Sequence, residues 1–335
     1  MTQAPEFSWL PLVAENYGVK VQGTPVLLNE RDEQRVYQVT IVSGESLTLR
    51  LCPPGRSYAR VQADTEALRF LNRANFPAPV LLQTRTGQAA FAWQPDSWAY
   101  AHNFIEGENP EMDLPTLQEL AALLARLHLL ASRPQDYPAQ VNWLAELPGA
   151  IEKAEICRTD PKWRTIATEV AATLRGLPDL GKLPVGLIHT DVHEGNLLRG
   201  SDGRLYLLDW EDAGLGEMVF DVALVLGWNC VWPVSKNLNG EVNRYDFDKE
   251  WCCTFLKAYQ EVRPLAPLEA QSLGPAIRFV MGWFAARDIA REVTEPGVSE
   301  GLAFTNWAIM HSVTSKWEKT LTQWAIETSP QSGKG

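Results

Sequence analysis

Cysteine is scarce and carries no pattern: Cys52, Cys157, Cys230, Cys252 and Cys253 include no C-x-x-C spacing. Neither a disulfide framework nor a zinc ribbon is indicated, and a reducing, cytoplasmic setting is expected. Long apolar runs are missing as well. None reaches the ~18 residues that a membrane helix needs, and the start MTQAPEFSWLPL has no basic segment leading into an apolar core. A soluble, unexported chain with no membrane partner is expected. Positive charge is in deficit, with 30 Lys and Arg against 41 Asp and Glu and a net charge of −11, which argues against gripping nucleic-acid phosphates or anionic lipid as the main task. A small cationic or neutral substrate suits that balance. Histidine is limited to five residues, a thin supply for a metal centre built on imidazole.

What is present reads as two regions, since 335 residues exceed one comfortable core. Residues 36–42 and 46–51 read as strands about the turn Ser43-Gly44-Glu45. The stretch 58–74 sets Val61, Leu68 and Leu71 at helical spacing and ends at Phe76-Pro77-Ala78-Pro79. Strand-like runs follow at 80–82, 89–93 and 98–105. From Leu114 the pattern turns helical, with Leu117, Leu120, Ala121, Leu124, Leu127 and Ala131 on one face and Thr116 available near its start. More helices are expected over 163–174, 220–228, 247–262, 275–293 and 298–326, and 329–335 reads as a frayed tail. The expected fold class is α+β: a small β-rich lobe over 1–105, joined through Ile105-Glu106-Gly107 to a larger, mainly helical lobe over 106–328. Such an arrangement offers a ligand cleft.

The chemistry concentrates between residues 185 and 215, where an apolar strand breaks into a polar loop and then a strand pair. Asp202-Gly203 is the dipeptide of a tight two-residue hairpin turn. With those two at the turn, Leu197 faces Leu208 and Asn196 faces Asp209. Directly opposed residues have Cβ atoms about 5 Å apart, so an amide oxygen and a carboxylate stand side by side. Hard oxygen donors suit Mg²⁺, which takes one or two protein oxygens and fills its shell with water and substrate phosphates. Asp191 lies five residues before Asn196, close enough for the loop to return its carboxylate to the same place, where it could accept a hydroxyl proton.

The pattern H-x-D-x-x-x-x-N from His189 to Asn196, followed by Asp209-Trp210-Glu211, resembles the catalytic and metal-binding loops of the aminoglycoside phosphotransferase and choline kinase superfamily, a branch of the bilobal protein-kinase-like fold. The lobe order agrees, and the type II homoserine kinase-like branch of that phosphotransferase family is similar in placing Arg at the Arg50 position. The resemblance implies an ATP- and Mg²⁺-dependent phosphotransferase with a small-molecule hydroxyl as acceptor. Asp191 would be the catalytic base, Asn196 and Asp209 the metal ligands, and His189 the brace of the loop. Arg50 would take the place of the phosphate-binding lysine, with Glu66 as its ion-pair partner. Asn103-Phe104-Ile105-Glu106-Gly107 would be the hinge whose backbone binds adenine, with Asn103 and Ile105 as cofactor-binding positions. Asp221, near a helix start, is read as structural. One element departs from the relatives: no glycine lies between Leu27 and Ile41, where a phosphate-covering loop generally wants one.

Two other classes compete for the same residues. A glycine-poor loop and Arg50 would also suit a non-catalytic, nucleotide-binding relative. His189, Asp191 and His193, if extended, would share one face as in a metal-dependent hydrolase. For the acceptor, Trp210, Glu211, Trp228, Trp232, Trp283, Arg287 and Asp288 are candidate liners, and eight of the 13 tryptophans lie beyond Leu208. Arg287 could pair a substrate carboxylate or a carboxylate on its own helix such as Glu292. An antibiotic, amino alcohol, amino acid and sugar all stay open as acceptors.

Overall fold

A computed structural model describes residues 7–31, 33–130, 143–237 and 240–330. The chain forms two compact units, one of Met1–Asn109 with Leu197–Asp212 and one of Pro110–Asn196 with Ala213–Gly335. The fold class is α+β, with strands concentrated toward the N-terminus and helices toward the C-terminus.

The first unit opens with a helix the sequence pattern does not announce, α1 (Leu10–Tyr17), started by a proline in its first turn and closed by Gly18 in the left-handed region. Strands β1 (Val26–Arg31), β2 (Gln34–Thr40) and β3 (Ser46–Leu51) lead to α2 (Tyr58–Arg73), then β4 (Phe91–Gln94), β5 (Ser97–Asn103) and the short β6 (Gly107–Glu108). The first five strands make one antiparallel sheet in the order β1-β2-β3-β5-β4. Trp9 and Val13 pack with Tyr37, Val39, Leu47, Leu49, Leu51 and Phe91 as its core. The central strand β3 is buried on both faces, so Arg50 has to bring its charge into the interior. Helix α2 is capped by Ser57, whose hydroxyl accepts from the Arg60 N–H at 3.2 Å.

The second unit contributes α3 (Leu114–Leu130), α4 (Leu147–Cys157), α5 (Arg164–Arg175) and β7 (Val185–Ile188). Asp113, not Thr116, caps α3: its carboxylate accepts from the Thr116 N–H at 2.8 Å. Ala131, expected on the same helix, lies outside the described residues. The chain then returns to the first unit as β8 (Leu197–Gly200) and β9 (Leu205–Leu207), in a sheet ordered β6-β8-β9. Back in the second unit come β10 (Gly214–Glu217), paired with β7, then α6 (Val219–Asn229), the hairpin β11 (Val231–Lys236) and β12 (Val242–Phe247), α7 (Lys249–Val262), α8 (Pro267–Gln271), α9 (Leu273–Thr294), α10 (Glu300–Ser312) and α11 (Ser315–Glu327). Helix α9 is the axis of this unit and packs against α4, α5, α6, α10 and α11.

Two further sequence expectations change. The helix expected over 298–326 is two helices, broken where Val313 leaves the helical torsions and Thr314 is extended, consistent with the stiffness of β-branched neighbours. The β8–β9 register also differs by one residue: Leu197 pairs with Leu207, and Leu198 with Tyr206. The turn holds three residues, not two, because Gly203 sits in the left-handed region (φ 78°) and the Asp202 carboxylate accepts from the Arg204 N–H at 3.0 Å. The pairing of Leu197 with Leu208, which would set Asn196 opposite Asp209, is therefore not formed. Among the described residues no helix is long and apolar enough to cross a membrane.

Candidate functional site

In the second unit β7 is an apolar strand that ends at Ile188, and the polar loop 189–196 begins where it ends. Thr190 adopts a left-handed conformation (φ 73°), a strain of about 1 kcal/mol for a β-branched residue that the surroundings must offset. They do so through Asp221, in the first turn of α6 and 0 % exposed. Its two carboxylate oxygens accept the backbone N–H of His189 (2.7 Å) and of Thr190 (2.9 Å), and one of them also meets Nε2 of the buried His128 at 3.2 Å.

The protons in this network can be assigned from what each group can donate. Arg263 can only donate, so the Tyr259 hydroxyl oxygen accepts from it at 3.0 Å. The Asp221 carboxylate can only accept, so the neutral His128 ring carries its proton on Nε2, and Nδ1, 2.6 Å from Tyr259, accepts the hydroxyl proton. Burial pushes the His128 pKa down despite the Asp221 carboxylate, in keeping with a neutral ring. Arg263 is in turn fixed by the buried Glu269 at 2.9 Å.

Beyond Thr190 the loop presents Asp191. His189 is buried and its Nδ1 accepts from the Asp191 N–H at 3.3 Å. The Asn196 amide donates to both the backbone carbonyl (2.8 Å) and the carboxylate (3.1 Å) of Asp191. His193 accepts from the Gly195 N–H on Nδ1 and approaches the Asp191 carboxylate with Nε2 at 3.5 Å. Burial alone would push the Asp191 pKa up, but His193, His189 and the Asn196 amide outweigh it and hold the carboxyl below its ordinary value. A third of this side chain is exposed, so an ionised carboxylate stands at the surface of a tightly braced loop. The extended face that would unite His189, Asp191 and His193 does not exist, because the left-handed turn at Thr190 breaks the alternation.

The first unit assembles the other candidates. Asp209 is also left-handed (φ 60°) and accepts from Arg50 at 3.0 Å. Arg50 also pairs with Glu211, whose second oxygen lies 3.1 Å from Arg56. Arg56 reaches the buried Asp64 of α2 at 2.5 Å, and Arg60 bonds Asp64, Asp212 and the Glu211 carbonyl. The expected Arg50–Glu66 pair is not formed. Glu66 lies on a different side of α2 from Asp64 and pairs with Arg69 one turn on, while the partner of Arg50 comes from the Asp209-Trp210-Glu211 segment. Glu211, placed by sequence among the acceptor liners, is thus the bridge between two guanidiniums. The charge pattern held that signal, since Arg50, Arg56 and Arg60 match the acids Asp209, Glu211 and Asp212 in number. Trp210, another expected liner, is buried, meets Phe76 edge-on and donates to the Leu207 carbonyl at 2.8 Å.

Of the two hinge positions, Asn103 is committed within its own unit, its N–H to the Val80 carbonyl at 3.0 Å and its side-chain oxygen to the Val80 N–H. The backbone groups of Ile105 have no hydrogen-bond partner among the described residues. Beside them His102, buried in part, has its pKa lowered to about 4 by burial, with Arg50 adding to the effect. A folded-state pKa below the unfolded one means that the unfolded chain binds more protons from about pH 6.5 down to about 4. Stability contributed by neutral His102 is therefore full at pH 7 and declines on acidification. Asp64, raised to about 6 chiefly by burial, works in the opposite direction. Urea unfolding at pH 5 and pH 7 should show His102→Gln losing on the order of 1 kcal/mol less than the parent between the two pH values; equal losses would remove His102 from the balance.

The acceptor-side candidates cluster in the second unit. Trp228 packs on Phe284 (ring centres 5.0 Å apart) and lies 6.1 Å from the His193 ring. Its indole donates to Asn306 at 3.0 Å, and Asn306 donates to Asp288 at 3.0 Å. Arg287 pairs with Asp288 and not with Glu292, whose carboxylate instead accepts from the Gly297 and Ser299 N–H groups. Trp232 stands apart on the exposed β11–β12 hairpin, against Trp251.

The sequence matches the phosphotransferase enzyme family over residues 27–265. The chain belongs to that family. It is 28% identical over 189 residues to the homoserine kinase of Afipia carboxidovorans, a match covering 53% of this chain and 54% of that protein. The chain thus spans about half the length of that curated relative. Two solved structures share its fold almost end to end: an amicoumacin kinase, in complex with AMP-PNP, Ca²⁺ and amicoumacin (TM-score 0.65, 18% identity, 98% of this chain and 96% of that one), and a microcompartment-associated aminopropanol kinase (TM-score 0.65, 18% identity, 95% and 100%).

Proposed function

We propose that this member of the phosphotransferase enzyme family is an ATP- and Mg²⁺-dependent kinase that phosphorylates a hydroxyl of a small molecule. The observation that carries the reading is Asp191, an ionised, part-exposed carboxylate on a loop pinned by the buried Asp221. Asp191 orients the acceptor hydroxyl and takes its proton as the acceptor oxygen bonds to the γ-phosphorus. The bond to the bridging oxygen breaks, and ADP leaves. His189 is a positioning residue, holding Asp191 through its backbone N–H.

Each proposed ligand offers an oxygen of the kind magnesium prefers. The amide nitrogen of Asn196 is spent on Asp191, which leaves its oxygen as the coordinating atom, and Asp209 adds a part-exposed carboxylate. Asn196 and Asp209 would hold the ion, which when bound neutralises charge on the transferred phosphoryl group. Arg50 is the phosphate-binding cation, and Glu211 positions it. The uncommitted backbone of Ile105 takes the adenine edge. The relatives named homoserine kinase and aminopropanol kinase support a small hydroxylated acceptor.

A screen for acceptor-dependent ADP release over hydroxylated metabolites and antibiotics tests this reading, run with Mg²⁺ and again with EDTA. At least one acceptor should raise ADP release tenfold or more over the blank, and EDTA should abolish the rise. Nucleotide binding with no acceptor-dependent turnover would identify a non-catalytic relative instead.

A further inference from the structure

Helix α9 is covered on nearly every side, and past Arg278 the first positions left part-exposed are Trp283 and Arg287, one helical turn apart. The Arg287 guanidinium is fixed in three ways. Its Nε and Nη2 both lie 2.9 Å from one oxygen of Asp288, its carbon sits 4.5 Å from the centre of the Phe284 ring, and the Trp283 ring is 5.7 Å away. Asp288 is buried, and its other oxygen accepts from Asn306, which is itself fixed by Trp228. That carboxylate is therefore consumed in holding the cation still. Nη1 of Arg287 has no partner among the described residues, and 38% of the side chain is exposed.

A rigid, part-exposed guanidinium propped on aromatic faces is built to receive a planar anion, because the ordering cost of a long flexible side chain has already been met in the fold. From Arg287 a wall of rings leads to the proposed base: Phe284 touches Trp228, Trp228 neighbours His193, and His193 approaches the Asp191 carboxylate. We infer that the acceptor is a hydroxylated carboxylic acid, its carboxylate bound by Arg287 and its hydroxyl presented to Asp191. This rests on the kinase reading above and narrows it to one chemical class. The overall acidity of the chain, which alone favours cationic acceptors, is set aside here by a local cation.

The test uses pairs of probes that differ by the carboxylate alone: L-homoserine with 3-amino-1-propanol, L-serine with ethanolamine, and the longer L-tyrosine with tyramine. Acceptor-dependent ADP release should favour the acid over its decarboxylated partner by tenfold or more in kcat/KM for at least one pair. Arg287→Met should cut that preference at least tenfold, chiefly through KM for the acid, and Arg287→Lys should restore part of it. A merely structural Arg287 would lower the unfolding midpoint of both variants and leave the preference unchanged, which overturns the inference. Turnover of the amino alcohols or of uncharged antibiotics in preference to the acids also overturns it, and leaves the kinase reading standing. If no acceptor of either kind gives ADP release that depends on Asp191, both fall together.

Discussion

Replacing Asp191 by Asn is expected to lower kcat for acceptor phosphorylation by about 10³-fold or more while ATP binding changes only a few-fold. The substitution keeps the size of the side chain and removes its charge and its capacity to take a proton. Two structural consequences stay small. The side chain is partly exposed, and the Asn196 amide can still donate to the new carboxamide oxygen, so the unfolding midpoint should move by no more than a few degrees. The loop backbone should not move either, because it is anchored by Asp221 and His189 and not by the Asp191 carboxylate. Steady-state ADP release with a responsive acceptor, together with thermal unfolding of both proteins, checks this. A variant that keeps a tenth or more of the parent rate would exclude Asp191 as the base, whatever the fate of the other assignments.

The α+β class and most long helices were legible because apolar periodicity is a local property, and α2, α5, α6, α7 and α9 fall where that periodicity places them. What the pattern could not reveal depended on backbone geometry or on distant partners. Helix α1 is hidden by a proline that looks like a breaker and acts as a starter. The β8–β9 hairpin slips by one residue because Gly203 takes a left-handed torsion inside a three-residue turn, which Asp-Gly permits as readily as the two-residue form. The partner of Arg50 lies about 160 residues away in sequence, in the Asp209-Trp210-Glu211 segment, and helical spacing on α2 could only offer Glu66. The motif from His189 to Asn196 was readable as a pattern of polar residues between apolar strands. The groups that stiffen it, His128, Tyr259, Arg263 and Glu269, were not, since each is an unremarkable residue on or just past a helix until the fold lines them up.

That line of groups makes Asp221→Asn the substitution with the largest expected structural effect. Asp221 is wholly buried and accepts from three donors, two of them backbone N–H groups of the loop that carries Asp191. A carboxamide has the same shape but only one accepting oxygen. Its NH₂ group must face either the Thr190 N–H or the His189 N–H together with the Nε2–H of His128, setting donor against donor in the interior. Leaving a buried donor without its acceptor costs about 1–3 kcal/mol, toward the upper end where the acceptor was charged, so a loss of about 3 kcal/mol is expected. His128 has one way to reduce that cost, by moving its proton to Nδ1, but Nδ1 already accepts the Tyr259 hydroxyl, which is held in that role by Arg263. The relay thus resists rearrangement, and the left-handed Thr190 loses the bond that offsets its strain. Activity should fall with stability, because Asp191 would be carried on a loop free to relax toward extended geometry. Tyr259→Phe separates the two effects: it frees His128 to change tautomer and leaves Asp221 its charge, so it should cost about 1 kcal/mol and spare most of kcat. Urea unfolding and ADP release measured on both variants decide the matter. An Asp221→Asn protein as stable as the parent, or a Tyr259→Phe protein as damaged as Asp221→Asn, would show that the loop is held by something other than this carboxylate.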